Sequence, residues 1–224
     1  MIRQILLAAV LILNGPNMAR ACGLELVLAM DVSRSVINDE FDLQVGGLAN
    51  ALRDPEIIEA IGWIPGGVIA TVTQWSGELD QAQTVGWRHL TDPSSVLAFA
   101  KEVDFDRRAF YQSYTAIGEA LWHANTLSAT NPRKCKRRVI DVSGDGASNR
   151  GREPAAIADA LAANGVTINA LVIRGARPDP AQYYLDNVVR GPGAFIEIAQ
   201  TFHDYARAIK QKLLRELTPA LASR

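Results

Sequence analysis

Apolar residues occur in this chain both as short unbroken runs and as longer stretches with helical spacing. Leu24–Met30 is apolar at almost every position, which predicts a strand buried on both faces. The β-branched and aromatic run Val68–Trp75 predicts a second strand, with Ala82–Trp87 as its hairpin partner. Further strands are predicted at Val139–Val142, Val166–Ile173 and Ala194–Ala199.

Stretches with helical spacing separate these runs. Phe41, Val45 and Leu48, for example, recur at the spacing of one helix face, and Asn38 ahead of them is a good cap. The predicted helices are Asp39–Arg53, Pro93–Val103, Ile117–Leu127, Pro154–Ala163, Pro180–Val189 and a last one that ends near Leu217. Strands that alternate with helices predict the α/β class: a doubly wound, mostly parallel sheet with helices on both faces. In such folds the ligand crevice lies at the carboxyl ends of the strands.

The composition is that of an ordinary globular protein. The chain has 224 residues, 48% of them hydrophobic and 21% charged, with a formal net charge of −1. Near-neutral charge gives no electrostatic reason to expect nucleic acid as a partner. No internal repeat or linker divides the sequence, so we expect residues 22–224 to form a single domain.

The N-terminus has the three parts of a secretory signal. Arg3 supplies a positive charge, Ile5–Leu13 is an apolar core, and Ala19–Ala21 fits a small-x-small cleavage site. The core is too short to span a bilayer. We expect residues 1–21 to be a signal peptide and the mature chain to be periplasmic or secreted, with no stable membrane insertion after signal removal. The residues before Cys22 lack the pattern of a lipoprotein signal, but the sequence does not decide whether Cys22 is lipidated.

Cys22 and Cys135 are the two cysteines of the chain. An even number of cysteines in an exported protein favours a disulfide. Each cysteine lies just ahead of a predicted strand, so both lie at one edge of the sheet if those strands are parallel neighbours. The alternative is two unpaired thiols.

Oxygen-bearing side chains lie next to three of the predicted elements. Asp31, Ser33 and Ser35 come directly after the first strand, Thr115 precedes a helix, and Asp145 follows a buried strand. Hard divalent cations such as Mg²⁺ prefer carboxylate and hydroxyl oxygens. On the first segment alone, a turn in which Asp and Ser cap backbone amides is an equal alternative. One local turn does not account for all three segments.

These positions resemble the metal-ion-dependent adhesion site (MIDAS) of the von Willebrand factor type A domain. The motif elements are Asp-x-Ser-x-Ser, a loop threonine before a helix, and Asp-Gly after a buried strand. The resemblance extends over Leu24 to Leu217, and RRVIDVSGDG at 137–146 and YTAIGEAL at 114–121 are similar to a bacterial group of exported type A domains, DUF1194. Arg34 and Ser113–Tyr114 depart from the pattern where glycine is common, and neither departure removes a ligand.

The resemblance implies that five side chains hold Mg²⁺ or Mn²⁺: Asp31, Ser33, Ser35, Thr115 and Asp145. It also implies that a protein or peptide ligand supplies a carboxylate to the metal, which is adhesion-type binding without catalysis.

Two other functions stay open. An aspartate at the end of a strand near a cation also suits a phosphotransfer or phosphatase-type enzyme, with Asp31 as nucleophile. Ser33 argues against this, because a haloacid-dehalogenase-like enzyme would place a second aspartate there. The other possibility is a type A fold used only as a scaffold, without metal.

One cluster of charge stands apart from these motifs. Arg133–Arg138 contains five basic residues in six. Such a run either attracts an anionic surface or is simply solvated at the entrance to a strand, and we favour the second interpretation.

Overall fold

The computed structural model describes residues 21–111 and 114–218 and places its strands in one six-stranded sheet. The strands are β1 (Cys22–Asp31), β2 (Val68–Trp75), β3 (Gln81–Leu90), β4 (Cys135–Gly144), β5 (Val166–Ile173) and β6 (Ile196–Ala199). The helices are α1 (Asn38–Arg53), α2 (Pro55–Gly62), α3 (Pro93–Asp104), α4 (Ile117–Leu127), α5 (Pro154–Ala163), α6 (Pro180–Asn187) and α7 (Tyr205–Leu217). The predicted signal peptide, residues 1–21, lies outside the described residues except for Ala21. No helix in the described part is long and apolar enough to cross a bilayer.

The order of strands across the sheet is β3-β2-β1-β4-β5-β6. All neighbouring strands are parallel except β3, which returns antiparallel to β2 as the predicted hairpin partner. The predicted doubly wound α/β class is confirmed. Since β1 lies between β2 and β4, its carboxyl end is at the centre of the edge where ligands bind in such sheets.

The unbroken apolar run in β1 is explained by two separate cores. Leu24, Leu26 and Leu28 pack with residues of α1, α2, α3 and α7 on one face of the sheet. Val27 and Ala29 pack with residues of α4, α5 and α6 on the other face. A strand covered on both faces needs apolar side chains at successive positions, so it shows no alternation.

The short apolar stretch before β2, which the sequence pattern left unassigned, forms α2. Asp54 starts this helix: its carboxylate accepts a hydrogen bond from the Glu56 amide (3.0 Å), and Pro55 occupies the first turn. Ile57 and Ile61 are its buried residues.

The predicted disulfide is confirmed. Cys22 and Cys135 lie directly opposite each other in the parallel register of β1 and β4, with Cα atoms 4.4 Å apart. The bridge joins two central strands at their amino ends, across a sequence separation of 113 residues.

Replacing both cysteines with serine is expected to lower the melting temperature by about 10 °C, since a cross-link across about 100 residues contributes roughly 4–5 kcal/mol by the chain-entropy estimate. Calorimetry on the oxidised wild type and the C22S/C135S double variant measures this difference. Equal melting temperatures would show that the bridge contributes nothing to stability.

Candidate functional site

The carboxyl end of β1 continues into a turn that Asp31 stabilises. Asp31 is fully buried, and its Oδ1 accepts a hydrogen bond from the Ser33 amide at 2.7 Å. The Val32 amide donates to the Trp75 carbonyl (2.9 Å), so pairing with β2 continues one residue beyond the strand. The hydroxyl oxygens of Ser33 and Ser35 are 3.2 Å apart. The local turn expected from this sequence therefore exists, and it also brings the two hydroxyls together.

Asp145 joins this group from the neighbouring strand. It directly follows β4, and its Oδ1 accepts a hydrogen bond from the Ser35 hydroxyl at 2.8 Å. Asp145 and Ser35 are separated by 110 residues in the sequence. Four of the five predicted ligands thus form one connected cluster at the carboxyl edge of the sheet. Their role as metal ligands stays a prediction.

Thr115 is fixed at the same edge through its backbone. Its amide donates to Asn149 Oδ1 (3.0 Å), and its carbonyl accepts from the Asn149 amide (2.9 Å). The next amide, that of Ala116, donates to the Ser76 carbonyl (2.8 Å). Ser76 follows β2 and Asn149 follows β4, so Thr115 is tied to the ends of both strands that flank β1. Within the described residues, no direct hydrogen bond links the Thr115 hydroxyl to the four-residue cluster.

The two carboxyl groups of the cluster are held in surroundings that oppose negative charge. Burial, and then the charge of Asp145, raise the pKa of Asp31 to about 7. Burial also raises the pKa of Asp145, and the hydrogen bond from Ser35 partly opposes that rise. Asp31 Oδ2 is buried without a hydrogen-bond partner among the described residues.

These properties fit a divalent cation. A buried carboxylate oxygen without a partner is costly, and a cation would stabilise both carboxylates at once. The remaining donors are hydroxyl oxygens, which suit hard cations. The described ranges contain no group of three or more His, Cys, Asp or Glu side chains arranged for metal binding, and this cluster itself has two carboxylates, with hydroxyls as its other oxygen donors.

Gly144 allows an aromatic side chain to approach the cluster. A Cβ atom at this position would lie 2.2 Å from the Tyr184 hydroxyl and 3.1 Å from Asp31 Oδ2. Tyr184 is fully buried, and burial followed by the charges of Asp31 and Asp145 raises the pKa of its hydroxyl well above the usual value. The neutral phenol therefore forms part of the wall behind Asp31. Sequence reasoning missed this residue, because nothing in α6 marks Tyr184 as different from an ordinary core residue.

We expect Gly144→Ala to destabilise the protein by about 2–3 kcal/mol and to displace Asp31, because the added methyl group would overlap the buried Tyr184 hydroxyl and crowd Asp31 Oδ2. Gly146→Ala is the matched control, since a Cβ atom there meets nothing within 4 Å. Urea denaturation of both variants measures the difference. Equal stability of the two would contradict this packing around Asp31.

Arg108 also supports the turn after β1 and was not identified from the sequence. Its guanidinium donates to the carbonyls of Val32 (3.0 Å) and Ser33 (3.1 Å), and it stacks on the Tyr111 ring at 5.0 Å. From the other side, Gln44 donates to the Asp31 carbonyl at 3.2 Å. These contacts hold the backbone that presents the aspartate and the serines. The polar loop after α3 gave no sequence signal for this role beyond the presence of an arginine.

Comparison with known proteins gives one family match. The chain matches the family described as "Protein of unknown function (DUF1194)" over residues 21–221. No curated protein matches the sequence.

Several solved structures share the fold. Proximal thread matrix protein 1 from the mussel byssus, solved with a zinc-occupied MIDAS motif, is 18% identical with a TM-score of 0.62, over 88% of this chain and 46% of that chain. A von Willebrand factor type A structure from Catenulispora acidiphila is 17% identical with a TM-score of 0.61, over 88% and 43%. The domain of the type V pili tip protein Mfa5 from Porphyromonas gingivalis is 10% identical with a TM-score of 0.60, over 91% and 99%. The present chain spans less than half the length of the first two.

The family match covers all of the described residues, and the solved structures share the overall fold with TM-scores of about 0.6. The chain therefore belongs to the DUF1194 family and has the fold of von Willebrand factor type A domains.

Proposed function

We propose that this protein is an exported, metal-dependent binding module of the adhesion type. Its divalent cation would be held by Asp31, Ser33, Ser35, Thr115 and Asp145, and would receive an acidic group from a protein partner. The observation that carries the proposal is the buried cluster at the end of β1, in which Asp31 Oδ2 has no hydrogen-bond partner among the described residues. The zinc-occupied MIDAS motif of the mussel protein and the pilus-tip protein among the structural neighbours support it.

Each group of side chains would have its own role at such a site. Asp31 and Asp145 supply two negative charges, which balance a divalent cation without excess. The serine and threonine hydroxyls add neutral oxygen ligands, and Arg108 and Gln44 fix the turn. When bound, the cation supplies a positive centre that an external carboxylate can contact. Because all donors are oxygens, we propose Mg²⁺ or Mn²⁺ as the cation.

We propose binding rather than catalysis. Asp31 is fully buried and its Oδ1 already accepts the Ser33 amide, which leaves it poorly placed as a nucleophile. The residue two positions later is a serine, which does not provide the second carboxylate of a phosphotransfer site. Turnover of a generic phosphoester that is lost in Asp31→Asn would overturn this part of the proposal.

We further propose that the protein works in the periplasm or outside the cell. The signal-like N-terminus, the disulfide between β1 and β4, and the pilus-tip protein among the structural neighbours all support export.

The function is tested by capture from envelope and secreted fractions on the immobilised protein. We expect a partner that is retained with Mg²⁺, is released by chelator and is not retained by Asp145→Asn. Amidation of the carboxyl groups in the extract should abolish capture, because the partner supplies the acid. Asp42→Asn, an exposed position in α1, is the matched control and should retain the partner. Capture that is indifferent to metal, to Asp145 and to amidation would contradict the proposal.

A further inference from the structure

The basic run of the sequence lies at the amino edge of the sheet, opposite the candidate metal site. Its last residues form the start of β4, beside the disulfide. Arg138 is already engaged: it lies 3.5 Å from the Glu25 carboxylate and donates to Asn125 Oδ1 at 2.8 Å. Arg133, Lys134 and Lys136 are different. They are exposed, and no carboxylate of the described residues lies within ion-pair distance of them.

Lys136 and Arg137 line two adjoining cavities at this edge. The larger has a volume of about 840 Å³ and is also lined by Phe195 and Arg215. The guanidinium of Arg215 stacks on the Phe195 ring at 3.8 Å. Arg137 is half-buried and donates to the Glu216 carbonyl at 3.1 Å. Cationic groups therefore line the wall of a cavity that is partly apolar.

The smaller cavity, of about 210 Å³, places an exposed tryptophan beside the same two cations. Lys136 and Arg137 line it together with Trp63, Ile64 and Pro65. Trp63 is 77% exposed, although it is one of the largest apolar side chains. Aromatic side chains next to lysine and arginine are typical of surfaces that contact the headgroup region of a membrane.

The chain also enters the domain at this edge. Ala21, which connects the apolar N-terminal segment to β1, is next to the turn before β2, where a Cβ atom on Gly66 would lie 2.3 Å from its carbonyl oxygen. The same turn follows Trp63. The acidic groups described at this edge already have partners: Glu25 lies 3.5 Å from Arg138, Glu59 accepts a long hydrogen bond from the Trp63 indole (3.4 Å), and Glu216 is paired with Lys212 at 2.6 Å.

We propose that this basic edge binds the surface of an anionic phospholipid membrane, with lipid phosphates at its cations and Trp63 among the headgroups. The basic edge is defined by Arg133, Lys134, Lys136, Arg137, Arg215 and Trp63. Charges act over about 8 Å at physiological ionic strength, so this local cluster attracts an anionic surface even though the whole chain carries a net charge of −1. The arrangement turns the opposite edge, with Asp31 and Asp145, away from the membrane. The proposal does not depend on metal binding.

Co-sedimentation of the purified exported protein with vesicles tests it. We expect binding to phosphatidylcholine vesicles that contain about one third phosphatidylglycerol, and none to pure phosphatidylcholine vesicles. The triple variant R133Q/K134Q/K136Q should lower the partition coefficient roughly 100-fold, since each basic residue near an anionic surface contributes about fivefold. The triple variant K101Q/R107Q/R177Q removes the same charge from exposed positions away from this edge and should bind like the wild type. Trp63→Phe should reduce the blue shift of tryptophan emission on binding.

Three outcomes would overturn the proposal. The first is equal binding to neutral and anionic vesicles, or no binding to either. The second is an equal loss of binding in the two triple variants. The third is thermal stabilisation by inorganic phosphate without vesicle binding, which would assign the basic edge to a free anion.

Discussion

Asp145→Asn is expected to abolish the stabilisation that Mn²⁺ gives the wild type, and to leave the metal-free protein at least as stable as before. The carboxyl groups of Asp31 and Asp145 are both buried, and the charge of Asp145 contributes to the raised pKa of Asp31. Removing one charge relieves that repulsion in the metal-free protein. It also takes away half of the negative charge that would hold a divalent cation, so the gain from metal is lost.

Thermal melting with and without Mn²⁺ measures both effects. At a concentration about 100 times the dissociation constant, a ligand stabilises the folded state by about 2.7 kcal/mol, which corresponds to about 5–10 °C here. We expect this rise in the wild type and in the exposed control Asp42→Asn, and no rise in Asp145→Asn. A rise of the same size in Asp145→Asn would remove Asp145 from the proposed ligand set.

Lys212→Met is expected to destabilise the protein by about 3–5 kcal/mol, the cost of leaving buried charges without their partner. Lys212 belongs to α7, and its side chain is fully buried against β4. Its Nζ lies 2.5 Å from the Asp141 carboxylate and 2.6 Å from the Glu216 carboxylate. Asn169 donates a further hydrogen bond to Glu216 at 2.8 Å. Methionine fills a similar volume but leaves two buried carboxylates facing each other. Urea denaturation measures the loss, and a change below about 1 kcal/mol would contradict this explanation.

The free energy of unfolding of Lys212→Met should depend more steeply on pH than that of the wild type. Burial, and then the charge of Glu216, raise the pKa of Asp141 to about 7, while Lys212 lowers it. A raised pKa means that folded Asp141 keeps a proton that the unfolded chain has released, so stability falls as pH rises from about 4 to about 7. Without Lys212 this fall grows, and the loss in Lys212→Met should be larger at about pH 8 than at about pH 5. Adding Asp141→Asn to Lys212→Met should remove most of the difference between the two pH values.

The strands could be predicted because they depend on short-range signals, and the candidate ligands were proposed because their three motif elements resemble a known site. The unbroken run of β1 predicts burial on both faces, and parallel neighbours bring Asp31 and Asp145 to one edge. The cysteine pairing follows from the same register of β1 and β4.

The supporting contacts could not be predicted, because they join segments that are distant in sequence. Arg108 reaches the turn after β1 from a loop 75 residues away from Ser33, and Tyr184 approaches Asp31 only because residue 144 is glycine. Lys212 and Glu216, four residues apart, have the spacing of an ordinary exposed helix pair. Only the packing of α7 against β4 shows that Asp141 completes a buried cluster.

The surroundings of the basic run, residues 133–138, also could not be predicted from the sequence. Its sequence favoured a solvated stretch at the entrance to a strand, and for Arg138 the structure instead provides a partner in Glu25. The smaller cavity, which Lys136 and Arg137 share with Trp63, depends on the turn before β2. No local pattern in the sequence brings that turn next to β4.

Anomalous diffraction at the manganese absorption edge, from crystals of the wild type soaked in Mn²⁺, tests the central claim most directly. We expect one anomalous peak at the end of β1, in contact with oxygens of Asp31, Ser33, Ser35, Thr115 or Asp145 directly or through water. A fully occupied Mn²⁺ at another position, or no peak at this edge at saturating Mn²⁺, would contradict the account.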